Sequence, residues 1–321
     1  MAQVEEVFRS GFHDCRWLCR TSTVKRILTF AAVLLFGSSA LHGQSEYGLY
    51  APGAAGPMKM AILPPPGLVI ENGVLPFFSR DFVDGSGQAT ESDINVVANR
   101  TMFVRTTAKK LLGARYQAAI VFPLANFAGP RPTPGNDTSV GIGDIVLQPV
   151  GLGWRLGNFH ILSTYTVFTP TGRFIFGASD NRGRGTWSHM LSTGVTWQSE
   201  HQRPWHVSIQ GRYEFITQIR GSDIKPGSPF HLEWAVGKKV SQSVDVGAVG
   251  AGSWQVTDIQ GSDFTGDPTK YHWFSIGPEV QWHAVQRNDW NMVMQARCYF
   301  DVSALNAAQG VFAVISFAFL L

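Results

Sequence analysis

The sequence has little charge. Asp, Glu, Lys and Arg make up 15% of its 321 residues, against roughly 25% in ordinary soluble domains. The formal net charge is +3, and about +1 of it remains after residue 43. No basic field of the kind that holds nucleic acid is present, so no nucleic-acid partner is expected. Cysteine is nearly absent. Cys15, Cys19 and Cys298 make no disulfide framework, and Cys298 reads as an apolar wall position. Long apolar runs are missing after residue 43, which excludes a transmembrane helix there. There is no G-x-S-x-G, and His231, His272 and His283 lack metal-ligand spacing. No cofactor, metal or catalytic residue is expected, and the chain reads as a non-enzyme.

Glycine and aromatics are plentiful instead, with 34 glycines and 12% Phe, Trp and Tyr. Low charge with many glycines and rings fits a strand-rich chain with an apolar exterior. The first 43 residues read as a signal peptide. Arg16, Arg20, Lys25 and Arg26 precede the apolar run Ile27 to Phe36, and small residues follow at Gly37 to Ala40, with cleavage near Ala40 or Gly43. Val24 is a candidate alternative start. Residues 44–66 hold three glycines and five prolines, ending Pro64-Pro65-Pro66. Prolines cannot donate to a ladder, so this segment is either a lead-in or a plug inside a lumen.

From Gly67 the period becomes two. The clearest hairpin lies within 141–172, where Phe159, Ile161, Tyr165 and Val167 oppose Asn158, His160, Thr164 and Thr166 around a turn at Arg155 to Asn158. Such alternation marks a half-buried strand. Twelve segments are expected: 67–78, 93–108, 112–123, 139–154, 157–168, 187–198, 204–217, 229–240, 243–256, 270–283, 290–301 and 310–321. Short connectors follow the even strands. Longer ones, rich in Gly, Pro, Asp, Asn and Ser, follow the odd strands, including strands one and eleven. Strict alternation of loop length with an even strand number is the layout of a transmembrane antiparallel β-barrel over 67–321.

Alternation alone does not say which face is inside. Tryptophans speak for lipid outside. Trp154, Trp197, Trp205, Trp282 and Trp290 fall beside short turns, and Trp187, Trp254 and Trp273 beside long loops, as in the two aromatic girdles of a membrane barrel. The last strand carries Val311, Ala313, Ile315, Phe317, Phe319 and Leu321 on one face and ends the chain. Such a strand is similar to the assembly signal of outer-membrane barrels, and closure against strand one would leave no edge in lipid.

Three ordered pieces carry a family resemblance. They are Pro64-Pro65-Pro66-Gly67, then Gly141-Ile142-Gly143-Asp144 with Pro149 and Gly153-Trp154, then Pro170-Thr171-Gly172. The set resembles the MetA-pathway of phenol degradation, or SphA-like, outer-membrane proteins from about Tyr47 to the end. Val69 departs from it where an aromatic is expected. The resemblance implies an exported barrel that is a channel for aromatic or other hydrophobic compounds. It brings no site residues with it.

The polar face offers Arg115, Asp144, His160, Arg212, Glu214, His231, Glu233, Asp245, Glu279 and Arg297 as lumen-lining candidates. Either they line a path that selects solutes, or they form a salt-bridged network that fills a narrow lumen and stiffens the wall. Arg173, Arg182 and Arg184, in the loop after strand five, are candidates for capturing anionic solutes or lipopolysaccharide phosphates; an ordinary solvated loop is the plainer reading. Lipid hydrolysis would need a Ser–His pair facing lipid. His189 faces that way, with no serine at its height. The expected partners are outer-membrane lipid and lipopolysaccharide, the barrel-assembly machinery, and small hydrophobic or aromatic solutes. The expected function is their passive or facilitated uptake across a Gram-negative outer membrane; a structural or lipid-modifying barrel is the alternative.

Overall fold

The computed structural model describes Gly53 and residues 56–128, 141–178, 181–286 and 290–321. The leader read over 1–43, most of the connector after the third expected strand, and the turn at Arg287 lie outside the described residues. Among the described residues the strands are β1 (Gly67–Val83), β2 (Ala89–Leu111), β3 (Ala114–Ala128), β4 (Gly141–Ile142), β5 (Val146–Leu156), β6 (Phe159–Phe168), β7 (Ser188–Gln198), β8 (Trp205–Ile216), β9 (Pro229–Lys239), β10 (Val244–Gln255), β11 (His272–Gln286), β12 (Asn291–Leu305) and β13 (Ala307–Leu320). β4 and β5 both pair with β3 and form one stave, so the wall has twelve. Every expected strand is present. β1 pairs antiparallel with β2 on one side and with β13 on the other, Val69 facing Leu320 and Val83 facing Ala307. The sheet therefore closes on itself.

Burial decides the sense of the alternation. On β8 the polar members His206, Ser208, Gln210, Arg212 and Glu214 are buried, while Trp205, Val207, Ile209 and Phe215 are exposed. Arg212 is 3% exposed and Ile209 is 52% exposed. This inverts a soluble core, where the apolar face is buried. It is stable only where the solvent outside is hydrocarbon and the interior is polar. The chain is thus a transmembrane antiparallel β-barrel, with a lipid-facing surface built from alternate residues such as Leu191, Val236, Val280, Ile315 and Phe317. Cys298 is a free thiol on that outer face. One member of the expected girdles is misplaced. Trp273 is buried with Met58 and Tyr299 in an internal apolar cluster, because its parity on β11 matches that of Ser275 and Glu279.

Two long loops expected after the first and eleventh strands are short. β1 and β2 run on to a turn over 84–88, and β12 turns into β13 through Asn306 alone. Asp84 closes the first turn by accepting bonds from Ser86 N and Gln88 N, both at 2.9 Å. Asn306 adopts φ 47, a left-handed backbone that Asn tolerates. The Ser-, Asp- and Gln-rich composition of 79–92 reads as loop, yet a strand that rises beyond a membrane is polar on both faces. The connectors at 169–187, 217–228 and 256–271 are long, as expected, while 112–113, 157–158, 199–204 and 240–243 are short.

Candidate functional site in the lumen

The segment before β1 runs inside the barrel. It turns once through a 3-10 helix, Pro57–Lys59. Its prolines remove donors, and the polar groups that remain are met by wall side chains, since buried backbone groups need partners. Gly53 N donates to the Glu233 carboxylate. Met58 N donates to Glu279 Oε2 at 3.3 Å, and Ser208 Oγ donates to Met58 O at 2.9 Å. Ala61 N donates to Thr196 Oγ1 at 3.2 Å. Arg115 donates to Pro64 O at 3.1 Å and to Leu63 O at 3.2 Å. These partners come from β3, β7, β8, β9 and β11, so the segment spans the lumen from wall to wall.

Two apolar side chains fix its position. Met58 is fully buried, with its sulfur against Gly237 and Gly247; a Cβ on Gly237 would lie 2.3 Å from that sulfur. Leu63 lies on Gly153, where a Cβ would come within 1.8 Å of Leu63 Cδ1. Ala61 and Leu162 complete the small apolar cluster around Leu63. Glycine at these wall positions is a matter of close approach, because any side chain would occupy the volume of the segment.

Around the segment lies a network of paired charges. Arg212 Nη1 is 2.8 Å from Glu233 Oε2, and Arg297 Nη1 is 3.1 Å from Glu279 Oε1. His231 Nε2 meets Glu214 Oε2 at 3.2 Å. Asp245 gathers three partners: Lys59 Nζ at 3.0 Å, His206 Nε2 at 3.2 Å and His283 Nε2 at 2.9 Å. Arg100 and Glu71 pair at 2.6 Å. Neutral pairing is what lets charges persist at this burial. Glu214, Glu233, Asp245 and Glu279 are all about fully buried, so the lumen is filled at their level.

Seven of the sequence candidates therefore meet in this network: Arg212, Glu214, His231, Glu233, Asp245, Glu279 and Arg297. Arg115 joins through the segment. His160 is half-buried at the short-turn end of β6. Asp144 stands apart. Its carboxylate accepts Gly172 N at 2.9 Å and Arg184 N at 2.7 Å, and so clasps the loop after β6. In that loop Arg182 N and Gly183 N both donate to Arg173 O at 3.0 Å, so the three candidate arginines belong to one folded unit. Sequence reading missed Lys59, Met58 and Leu63, as well as His206, Arg100 and Glu71. His206 shares the parity of Arg212, which was signal enough. The segment residues had no periodic signal at all.

On the outer face His189 does not meet a serine. Its Nδ1 lies 2.8 Å from Tyr165 Oη, and the two rings stack. The polar pair one step along the wall is Ser163 with Thr193, at 3.0 Å.

A closed antiparallel barrel with an apolar exterior, a charged interior and its own N-terminal segment threaded through it defines an outer-membrane β-barrel fold. Residues 79–317 match the model of the family described as "Putative MetA-pathway of phenol degradation", and the chain belongs to that family. Among solved structures it is similar to the COG4313 outer membrane channel from Pseudomonas putida F1, at 14% identity and a TM-score of 0.64 over 84% of this chain and 98% of that one. It is less similar to the toluene transporter TodX of P. putida, at 9% identity and a TM-score of 0.41 over 83% and 92%. The translocator domain of the autotransporter NalP from Neisseria meningitidis matches at 11% identity and a TM-score of 0.43 over 78% and 88%. No curated protein matches the sequence.

Proposed function

We propose that this chain is an outer-membrane channel for passive or facilitated uptake of small hydrophobic or aromatic compounds, exported by a leader over 1–43 and gated by residues 44–66. The observation that carries the reading is the way the segment is held. It is attached by hydrogen bonds, one ion pair and two apolar contacts on glycine, rather than built into the sheet. A purely structural filler gains nothing from being detachable, whereas a gate must leave without opening the wall. The family to which the chain belongs and the channel named for its structural relative support the same reading. Arg212, Glu214, His231, Glu233, Asp245, Glu279 and Arg297 then line the path opened by displacement of the segment. Arg173, Arg182 and Arg184 lie at the outer mouth, suited to anionic aromatic acids or lipopolysaccharide phosphates. Nothing catalytic is assigned, because the outward histidine is engaged by a tyrosine.

The test is uptake into proteoliposomes of the purified mature chain. Labelled benzoate is compared with a sugar and with empty liposomes, since phenol crosses lipid unaided. Faster benzoate uptake with little sugar uptake is expected. Equal acceleration of both would make it a general porin, and acceleration of neither, even with residues 44–66 removed, would leave a structural barrel.

A further inference from the structure

Where the short turns lie, beside the point at which the segment reaches β1, the wall carries a concentration of positive charge of which the account above uses only Arg115. A cavity of about 220 Å³ opens there, lined by Ala61 and Leu63 of the segment and by Lys110, Arg115, Arg155 and His160 of the wall. The four wall residues face each other in two cross-strand pairs, of which Lys110–Arg115 is like-charged. Lys110 is the register partner of Arg115, and Arg155 is the register partner of His160. β3 and β5 are neighbours in the same region, with Arg115 opposite Gly153, so the two pairs lie side by side. Like charges set directly opposite destabilise a sheet. Deeper in the lumen Arg212, Arg297 and Lys59 each pair with a carboxylate. Here, among the described residues, no carboxylate forms an ion pair with any of the four.

We infer that this cavity is a binding site for a small organic anion, an aromatic carboxylate, at the inner end of the pathway. The inference rests on the channel reading for its place in transport, although not for its chemistry. Arg115 is oriented by its bonds to the Leu63 and Pro64 carbonyls. Those use two of the five guanidinium N–H donors, so the rest are available to a carboxylate. Arg155 donates weakly within its own turn, to Gly157 O at 3.5 Å. The Leu63 and Ala61 side chains supply an apolar floor for a ring, and Gly153 makes room for that floor. The volume is below the ~300–1,000 Å³ of sites for drug-sized ligands, which favours a single ring. A neutral phenol would leave the cationic rim unmatched, whereas its acid analogues would neutralise it. The segment thus has a second role, as the wall that holds Arg115 in place for the anion.

The experiment is equilibrium dialysis of labelled benzoate against the full mature chain in detergent, with benzamide as the neutral isostere and inorganic phosphate as competitor. Saturable binding of one benzoate is expected. Because benzamide lacks the charge that strengthens a hydrogen bond to a cation, it should bind at least about tenfold more weakly, and a double variant Lys110→Gln, Arg155→Gln should lose about tenfold or more. Both positions are exposed at turn ends, and His160→Gln alone serves as an independent check. The site is overturned if benzamide binds as well as benzoate, if neither variant changes binding, or if phosphate displaces benzoate as readily as unlabelled benzoate does, for then the ring contributes nothing. Dialysis reads binding without transport. A chain that binds benzoate yet fails the liposome assay keeps the site and loses the channel; one that passes benzoate without binding it loses only the site.

Discussion

Lys59 Nζ lies 3.0 Å from Asp245 Oδ2, and this is the one ion pair between the described part of the N-terminal segment and the barrel wall. Lys59 keeps a quarter of its side chain exposed, while Asp245 is fully buried and also meets His206 and His283. The wall thus offers a neutralised anchor, and the segment supplies a partner that reaches water on release. Asp245→Asn leaves three donors facing an amide. Removing one partner of a buried pair costs ~3–5 kcal/mol, and here the loss falls on the attached segment as well as the wall. Single-channel recordings in planar bilayers should show larger or longer openings for Asp245→Asn and for Lys59→Met than for the unmodified chain. Unchanged conductance in both would remove the ion pair from any account of gating.

The apolar anchors make a separate prediction. Gly153→Val places methyl groups where Leu63 lies, and the wall strand itself has no reason to reject valine. The barrel should assemble, as shown by heat-modifiable migration on gels, while the segment becomes open to protease. Pairing Gly153→Ala with Leu63→Ala should restore protection that Gly153→Ala alone reduces, because the two side chains occupy one volume and their effects are not additive. Additive effects in that cycle would mean that Leu63 is not held by Gly153.

What the sequence shows and what it hides follow from the same physics. The staves from β6 to β10 are legible to within two residues because each has one face in lipid and one in a polar interior, which enforces a period of two. Above the membrane that constraint ends. The outer halves of β1, β2 and the β12–β13 hairpin therefore look like loop, although they pair fully. The lumen charges are legible by parity, yet their partners are not, since Arg212 pairs with Glu233 on the next strand while Asp245 reaches Lys59, far away in sequence. The segment is the hardest case. Met58 and Leu63 lie in a stretch with no period, and only the glycines opposite them, Gly237, Gly247 and Gly153, record their presence.

The Arg212–Glu233 pair should be costly to break and cheap to replace. Both side chains are about fully buried and 2.8 Å apart. Arg212→Leu or Glu233→Leu alone leaves a buried charge, with a loss of ~3–5 kcal/mol, whereas the double leucine variant should recover most of that. Urea unfolding in detergent, followed by loss of the heat-modifiable form, measures all three. Glu233 also receives Gly53 N, so the double variant should stay more protease-sensitive before β1 even where the barrel is as stable. Single variants as stable as the unmodified chain would show that water reaches this pair.

Acid should release the outer loops from each other before it disturbs the wall. Asp223, in the loop after β8, accepts Ser262 Oγ at 2.6 Å, Ser262 N at 2.8 Å and Asp263 N at 2.8 Å from the loop after β10. The backbones cross-link as well, Lys225 N to Gln260 O at 2.7 Å. The Ser262 hydroxyl, with these amides, lowers the Asp223 carboxyl to about 2. A carboxyl depressed on folding stabilises the paired form above its ordinary range, near ~3.9, and loses that contribution as pH falls through the folded value. The two loops should therefore stay joined at pH 5, loosen as the pH falls below about 4, and come apart around pH 2. Pepsin, active across this window, reads the change as cleavage within 217–228 or 256–271. Ser262→Ala removes the largest cause of the depression, so its cleavage should begin at a higher pH. Cleavage with the same pH dependence in both proteins would place the joint between these loops on some group other than Asp223.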